Sequence, residues 1–232
     1  MKTIGLIGGM SWESTALYYR LFNESVRDRL GGLHSAKLLL WSFDFAEIES
    51  LQTAGDWETA GHALEDAARR LEAGGAECLA ICANTMHLVA DAVQDAVSIP
   101  LVHIADATAS ALRDDGIRQP LLLATRYTME QDFYTGRLRD RHGIDVRTPN
   151  RDDRTIVHDI IYRELCRGIV RDESRGRYLD IVDKGRAAGC DGLILGCTEV
   201  GMLLQQGNTA LPVYDTAEIH VRAILEFALL ED

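Results

Sequence analysis

Short apolar runs alternate with longer amphipathic stretches along the whole chain. "TIGLI" (3–7), "KLLLWS" (37–42), "CLAIC" (78–82), "IPLVHI" (99–104), "PLLLA" (120–124), "GLILG" (192–196) and "LPVYD" (211–215) have the length of strands buried on both faces. Between them, "ETAGHALEDAARRLEAGG" sets Ala63, Leu64, Ala67, Ala68 and Leu71 at helical spacing and closes on Gly74 and Gly75, a residue type that ends helices at little steric cost. This alternation predicts an α/β fold of parallel sheets. Ligands of such sheets gather where strands end and helices begin, and the polar motifs of this chain follow its apolar runs.

The pattern also repeats. Aligning Gly75 with Gly189, an offset of 114, lays "GAECLAICANT" over "GCDGLILGCTE" and puts Ala83 on Cys197. The next runs agree to within two residues, with Pro100 against Pro212 and His103 against Asp215. Upstream, "IGLIGGMSWES" falls on "LLLATRYTMEQ" at an offset of 117, matching Ile4 to Leu121 and Ser11 to Thr128. Two pseudo-symmetric parallel-sheet α/β domains are therefore expected, residues 1–105 with 211–232 forming the first and 106–210 the second. A cleft between them is the expected site, lined by turns 8–11, 83–85, 125–128 and 197–199.

Composition narrows the function. The 232 residues are 47% hydrophobic and 26% charged, as in an ordinary folded chain, and 36 acidic against 24 basic residues give a net charge of -12. That excess disfavours nucleic acid and anionic membranes as partners. The N-terminus "MKTIGLIGGMSWEST" has no signal-peptide pattern, and no stretch reaches the roughly 18 apolar residues of a membrane span, so a cytoplasmic protein is expected. Five cysteines (Cys78, Cys82, Cys166, Cys190, Cys197) do not suggest a disulfide framework. Cys78, Cys82 and His87 lack the second ligand pair of a zinc site, and no metal is expected.

Candidate chemistry sits at the ends of the runs. The glycines of "GLIGGMS", at 5, 8 and 9, miss the dinucleotide-binding frame, but a tight turn into a helix can offer N–H groups to a carboxylate or phosphate, or simply pack against the sheet. In "ATRYTM", Thr125 and Thr128 are spaced so that one caps a helix while the other faces a ligand. In "GCTE", Gly196 permits close approach, and Cys197 ends a strand where N–H groups and helix dipoles are expected to lower its pKa; a structural thiol is the alternative. Strand alternation turns Cys82 away from the face of residue 83 and into the core. His103 and Asp215 can orient or charge a pocket, or only support it.

Taken together, "IGLIGGMSWEST", "CANTMH", "TRYTMEQDFY", "GCTE" and "PVYDTAEIH" resemble the aspartate/glutamate racemase family over the whole chain, closest to its broad-specificity or glutamate/aspartate branch. The resemblance implies a cofactor-independent amino-acid racemase, often a homodimer, acting on a small amino-acid substrate. Of the three lysines, Lys2, Lys37 and Lys184, none ends a strand motif where a pyridoxal phosphate Schiff base would be held. In the family two thiols flank the substrate Cα, and the matching residues here are Cys197 and Ala83. A methyl group moves no proton. Three readings stay open at that position: a one-base enzyme, a chain in which Cys or Thr has been replaced, and a binder without turnover. The same scaffold also admits a single-cysteine isomerase or decarboxylase. The resemblance further places Asn84, Thr85, Thr125, Thr128 and Thr198 on the α-carboxylate and α-amino group, Met10 and Ser11 along the pocket wall, Glu199 on the ammonium or on Cys197, and Gln52 in a loop closing over the substrate side chain.

Overall fold

A computed structural model describes residues 1–230. The chain forms two compact units, Met1–His103 together with the segment from His220 onward, and Ile104–Ile219.

The first unit runs β1 (Ile4–Gly8), α1 (Trp12–Leu30), β2 (Leu38–Ser42), α2 (Phe45–Ala54), α3 (Trp57–Ala73), β3 (Cys78–Ile81), a 3₁₀ turn Thr85–Val89 and α4 (Ala90–Asp95). Its parallel sheet has the order β2-β1-β3, with Ile4 opposite both Leu38 and Cys78. β1 is central and buried throughout, whereas β2 is an edge strand whose Leu40 is 50% exposed. The expectation that "KLLLWS" is covered on both faces is thereby corrected. The run "IPLVHI" contributes no full strand: Leu101 makes one bridge to Leu79. Pro100 has no N–H to give a ladder, so pairing is confined to its carbonyl, which accepts from the Leu79 N–H, and to the Val102 N–H, which donates to Leu79. α3 buries Ala60, Leu64, Ala67, Ala68 and Leu71 in one core with Ile7, Leu79 and Ile81.

Side chains start the helices as their residue types require. Ser11, Asp44 and Asp56 accept the N–H groups of Ser14, Ala46 and Thr59 at the heads of α1, α2 and α3, each cap contributing roughly 0.5–2 kcal/mol. The turn between β1 and α1 depends on Gly9, at φ 82°, where a Cβ would overlap the backbone of Phe43.

The second unit holds α5 (Ile104–Asp114), β4 (Leu121–Leu123), α6 (Arg126–Glu130), α7 (Asp132–His142), α8 (Arg151–Arg163), a 3₁₀ turn Leu165–Arg167, α9 (Asp172–Ala187), β5 (Leu193–Leu195), further 3₁₀ turns Thr198–Met202 and Gln206–Asn208, and β6 (Val213–Asp215). Helix α10 (Thr216–Leu229) carries the chain back to the first unit. The sheet order is β4-β5-β6, all parallel, with Arg147 bridged to Leu121. Return to the first unit comes at His220 and not at residue 211, because Val213–Asp215 pairs with Leu193–Leu195.

The internal repeat is visible bond for bond. At the end of α3, the N–H groups of Gly74, Gly75 and Ala76 donate to the carbonyls of Arg70, Glu72 and Leu71. At the end of α9, those of Ala188, Gly189 and Cys190 donate to Lys184, Arg186 and Gly185, each partner displaced by the same 114. Gly75 and Gly189 share φ values of 95° and 94°. The strand alignment needs a correction. Cys82 N–H donates to Ile7 and Gly196 N–H to Leu123, so β1 and β4 correspond at an offset of 116 (Ile7 to Leu123) rather than 117. Ser11 and Thr125 are the equivalent helix caps, which makes Ser11 the counterpart of Thr125 and not of Thr128. The first unit accommodates Gly9 and Met10 as additional residues in its turn. Among the described residues no helix is long and apolar enough to cross a membrane.

Candidate active site

In the second unit, two strand ends hold the expected residues. After β4, the hydroxyl oxygens of Thr125 and Thr128 lie 3.2 Å apart, and Thr125 accepts the Thr128 N–H at the head of α6. Both are buried. After β5, Gly196 allows close strand packing, since a Cβ there would come within 2.5 Å of Leu122 Cδ1. The chain then enters the 3₁₀ turn Thr198–Met202 with Cys197 at its cap position.

Glu199 organises this turn. Its Oε2 accepts the Cys197 thiol at 2.9 Å and the Thr198 hydroxyl at 2.8 Å, and its Oε1 accepts the Cys166 thiol at 3.8 Å. Cys197 is 9% exposed and Glu199 5%. The expected lowering of the Cys197 pKa is overturned: burial, then the Glu199 charge and Cys166, push the thiol well above its ordinary value. The turn is 3₁₀ and short, so the favourable backbone field is small beside the loss of water and the adjacent carboxylate. Tyr178, buried nearby, spends its hydroxyl on the Val157 carbonyl at 3.0 Å.

Cys166 had no assigned role in the sequence. It lies 33 positions from Glu199 in the chain, in the turn Leu165–Arg167, and only the packing of that turn against Thr198–Met202 joins them. No local motif announces such a contact.

In the first unit, Met10 and Ser11 are buried in the turn after β1, and Asn84 and Thr85 are buried after β3. Ala83 is partly buried against that unit's core, and its carbonyl oxygen accepts from His87 Nδ1 at 2.9 Å. Cys82 is 1% exposed, and burial alone pushes its thiol far up, as befits the core position expected of it. Gln52 departs from expectation. It lies within helix α2, not in a loop, and its buried Nε2 donates to the Met86 sulfur at 3.1 Å. Asp44 and Gly55 cap the two ends of this helix, which is why the segment does not form a loop.

His87 belongs to a buried histidine group. Its ring centroid is 4.6 Å from that of His103 and 5.8 Å from that of His220. His220 Nε2 donates to the Val102 carbonyl at 2.8 Å, so its Nδ1 accepts from the Tyr18 hydroxyl at 2.9 Å. Burial holds His220 neutral, with a pKa lowered to about 4. In the second unit Asp215 caps α10, accepting the Ala217 N–H at 2.9 Å, and burial raises its pKa to about 6. Neither His103 nor Asp215 was assigned a definite role from sequence. The first stands in an aromatic cluster, and the second holds a helix end.

Among the described residues, no group of three or more His, Cys, Asp or Glu is arranged to hold a metal ion. Lys184 Nζ lies 2.9 Å from both oxygens of Asp153. That pair lines a cavity of about 370 Å³ with Leu121, Arg147, Asn150 and Cys190, and the cavity includes none of the residues expected at the site.

With this geometry in hand, comparison with known proteins is specific. Residues 7–224 match the family described as Asp/Glu/Hydantoin racemase. A Yersinia pestis protein provisionally described as an Asp/Glu racemase is 52% identical, with a TM-score of 0.93 over 99% of this chain and 100% of its own. An aspartate racemase homologue from Pyrococcus horikoshii OT3 is 38% identical, with a TM-score of 0.85 over 98% of this chain and 99% of its own. A glutamate racemase from Francisella tularensis, solved with D-glutamate, shares the fold at 14% identity, with a TM-score of 0.68 over 97% of this chain and 80% of its own.

Proposed function

The chain belongs to the Asp/Glu/hydantoin racemase family, and we propose that it acts on an acidic α-amino acid without a cofactor, with Cys197 as the proton-transferring base. The observation that carries this reading is the thiol–carboxylate contact of 2.9 Å between Cys197 and Glu199 at the end of β5. The relative at 52% identity is provisionally described as an Asp/Glu racemase and that at 38% as an aspartate racemase homologue, which supports an acidic amino acid as the substrate class.

The chemistry follows from the environment of the thiol. An α-hydrogen of an amino acid is weakly acidic, and its removal needs a strong base in a preorganised polar setting. Burial makes the Cys197 thiol a reluctant acid. Transfer of its proton to Glu199 Oε2 leaves a neutral carboxylic acid and a thiolate. That thiolate is a stronger base than an ordinary one for the same reason that the thiol was a reluctant acid. It takes the α-hydrogen, becoming a thiol again, while the electron pair of the C–H bond remains on the substrate. The resemblance gives the buried side chains of Asn84, Thr85, Thr125, Thr128 and Thr198 to the substrate carboxylate and ammonium, and Met10 and Ser11 to the pocket wall.

Ala83 separates this chain from a two-thiol enzyme. By the resemblance, residue 83 stands where the family has its second thiol, and a methyl group there returns no proton. Binding without turnover is the second reading, and Ala83 is the observation that favours it.

The test is incubation with L- and D-aspartate and L- and D-glutamate in deuterium oxide, without pyridoxal phosphate, followed by proton NMR of the α-position. Exchange of one enantiomer, abolished by Cys197→Ser, is the expected result. Saturable binding with no exchange of any of the four would establish the binding reading instead. The homodimer implied by the resemblance is checked by light scattering of the same preparation.

A further inference from the structure

Glu199 accepts two thiols, one on each oxygen. Cys197 approaches Oε2 at 2.9 Å from the end of β5, and Cys166 approaches Oε1 at 3.8 Å from the turn Leu165–Arg167. The three groups grade from inside to outside: Cys197 and Glu199 are buried, while Cys166 is partly exposed. We propose that Cys197, Glu199 and Cys166 form one proton relay, in which Cys166 is the outlet by which hydrogen taken from the substrate exchanges with solvent. The proposal rests on the reading of Cys197 as the base.

The steps balance. At rest the group carries one negative charge, on Glu199, and two thiol protons. Movement of the Cys197 proton to Oε2 gives thiolate, carboxylic acid and the Cys166 thiol. Capture of the α-hydrogen restores the Cys197 thiol, so all three groups are protonated. The surplus proton leaves when the Cys166 thiol passes its own to water and the resulting thiolate takes the proton of the carboxylic acid. Glu199 is then a carboxylate again; the hydrogen now on Cys197 follows the same route as a solvent deuteron enters in its place, and Cys197 returns that deuteron to the substrate carbanion.

Neighbouring groups are engaged elsewhere. The Tyr178 hydroxyl donates to the Val157 carbonyl. Glu164 accepts the Ser174 hydroxyl at 2.6 Å and lies 3.7 Å from Arg171. Arg175 donates to the Leu203 carbonyl at 3.0 Å and pairs with Asp172. Thr198 donates to Oε2 itself and so stabilises the resting carboxylate. Cys166 thus acts through Glu199, as a positioning and relay residue.

The experiment follows α-hydrogen exchange of aspartate and glutamate in deuterium oxide for the unaltered chain, Cys166→Ala and Cys166→Ser. The alanine variant is expected to lose about tenfold or more in the exchange rate at saturating substrate, below or near the low end of what acid–base groups contribute, with KM little changed. Serine, which keeps an O–H, is expected to recover part of the loss. Infrared S–H bands provide a readout independent of turnover: Glu199→Gln is expected to move the bands of both thiols, each identified by its disappearance in Cys166→Ala or Cys197→Ser. Exchange undiminished in Cys166→Ala, or a Cys166 band unmoved by Glu199→Gln, would overturn the relay alone. Absence of exchange by the unaltered chain would overturn the Cys197 reading and the relay with it.

Discussion

The Nδ1 of His87 lies 2.9 Å from the carbonyl oxygen of Ala83, four residues back in the chain. A carbonyl only accepts, so the proton of this ring is fixed on Nδ1. The turn that carries residue 83 is therefore held by a buried side chain whose ring stacks edge-on against His103. His87→Ala removes that donor, and urea unfolding should show a loss of about 1–3 kcal/mol, the usual consequence of stranding a polar group. An unchanged midpoint would mean that solvent satisfies the carbonyl equally well.

Position 83 should decide the balance between exchange and racemisation. Ala83→Cys adds a group that can return a proton, and such groups are worth about 10²- to 10⁴-fold. Polarimetry of L-glutamate and L-aspartate should therefore show racemisation rising by that order, while exchange of the enantiomer served by Cys197 rises far less. Equal racemisation by both forms would mean that the second proton comes from elsewhere.

Glu199→Gln separates charge from proton acceptance. The Glu199 charge follows burial as a cause of the raised Cys197 pKa. Its removal should shift the pH midpoint of Cys197 alkylation by iodoacetamide downward, read by mass spectrometry of the peptide. Exchange of substrate α-hydrogen should nevertheless fall, because an amide takes no proton. A midpoint that rises would show that the carboxylate stabilises the thiolate through its proton instead.

Buried His220 and half-buried Asp215 give stability opposite pH dependences. His220 has a folded pKa of about 4 against 6.5 for an ordinary histidine, so below 6.5 the unfolded chain binds the proton and the folded chain resists it. Its contribution is present above pH 6.5 and is lost as the pH falls toward 4, by on the order of 2–3 kcal/mol. Asp215, raised from 3.8 to about 6, acts the other way: its contribution is present below 3.8 and is lost as the pH rises through 6. From pH 7 to pH 4 the unfolding free energy should change in the stabilising direction in His220→Asn and in the destabilising direction in Asp215→Asn, each relative to the unaltered chain. Parallel profiles for all three chains would refute both assignments.

Much of the fold was legible because it is local and periodic. Apolar runs of strand length marked β1, β3, β4, β5 and β6, and the spacing of Leu64, Ala67, Ala68 and Leu71 marked α3, because burying one face of each element imposes that spacing on the chain. The equivalence of Gly75 and Gly189 was readable for a similar reason: both must adopt positive φ, and few residues do so freely.

What escaped the sequence depends on neighbours. The run "KLLLWS" reads like any buried strand, and only its place at the edge of the sheet leaves Leu40 half exposed. The one-residue shift between β1 and β4 was set by hydrogen-bond register, which two apolar runs do not distinguish by themselves. Position Cys197 was legible from "GCTE", but its electrostatics were not. A pKa follows from the water a group loses and the charges it meets, and the tertiary structure supplied both: the burial of Cys197, and the carboxylate of Glu199 shared with a thiol 33 positions away.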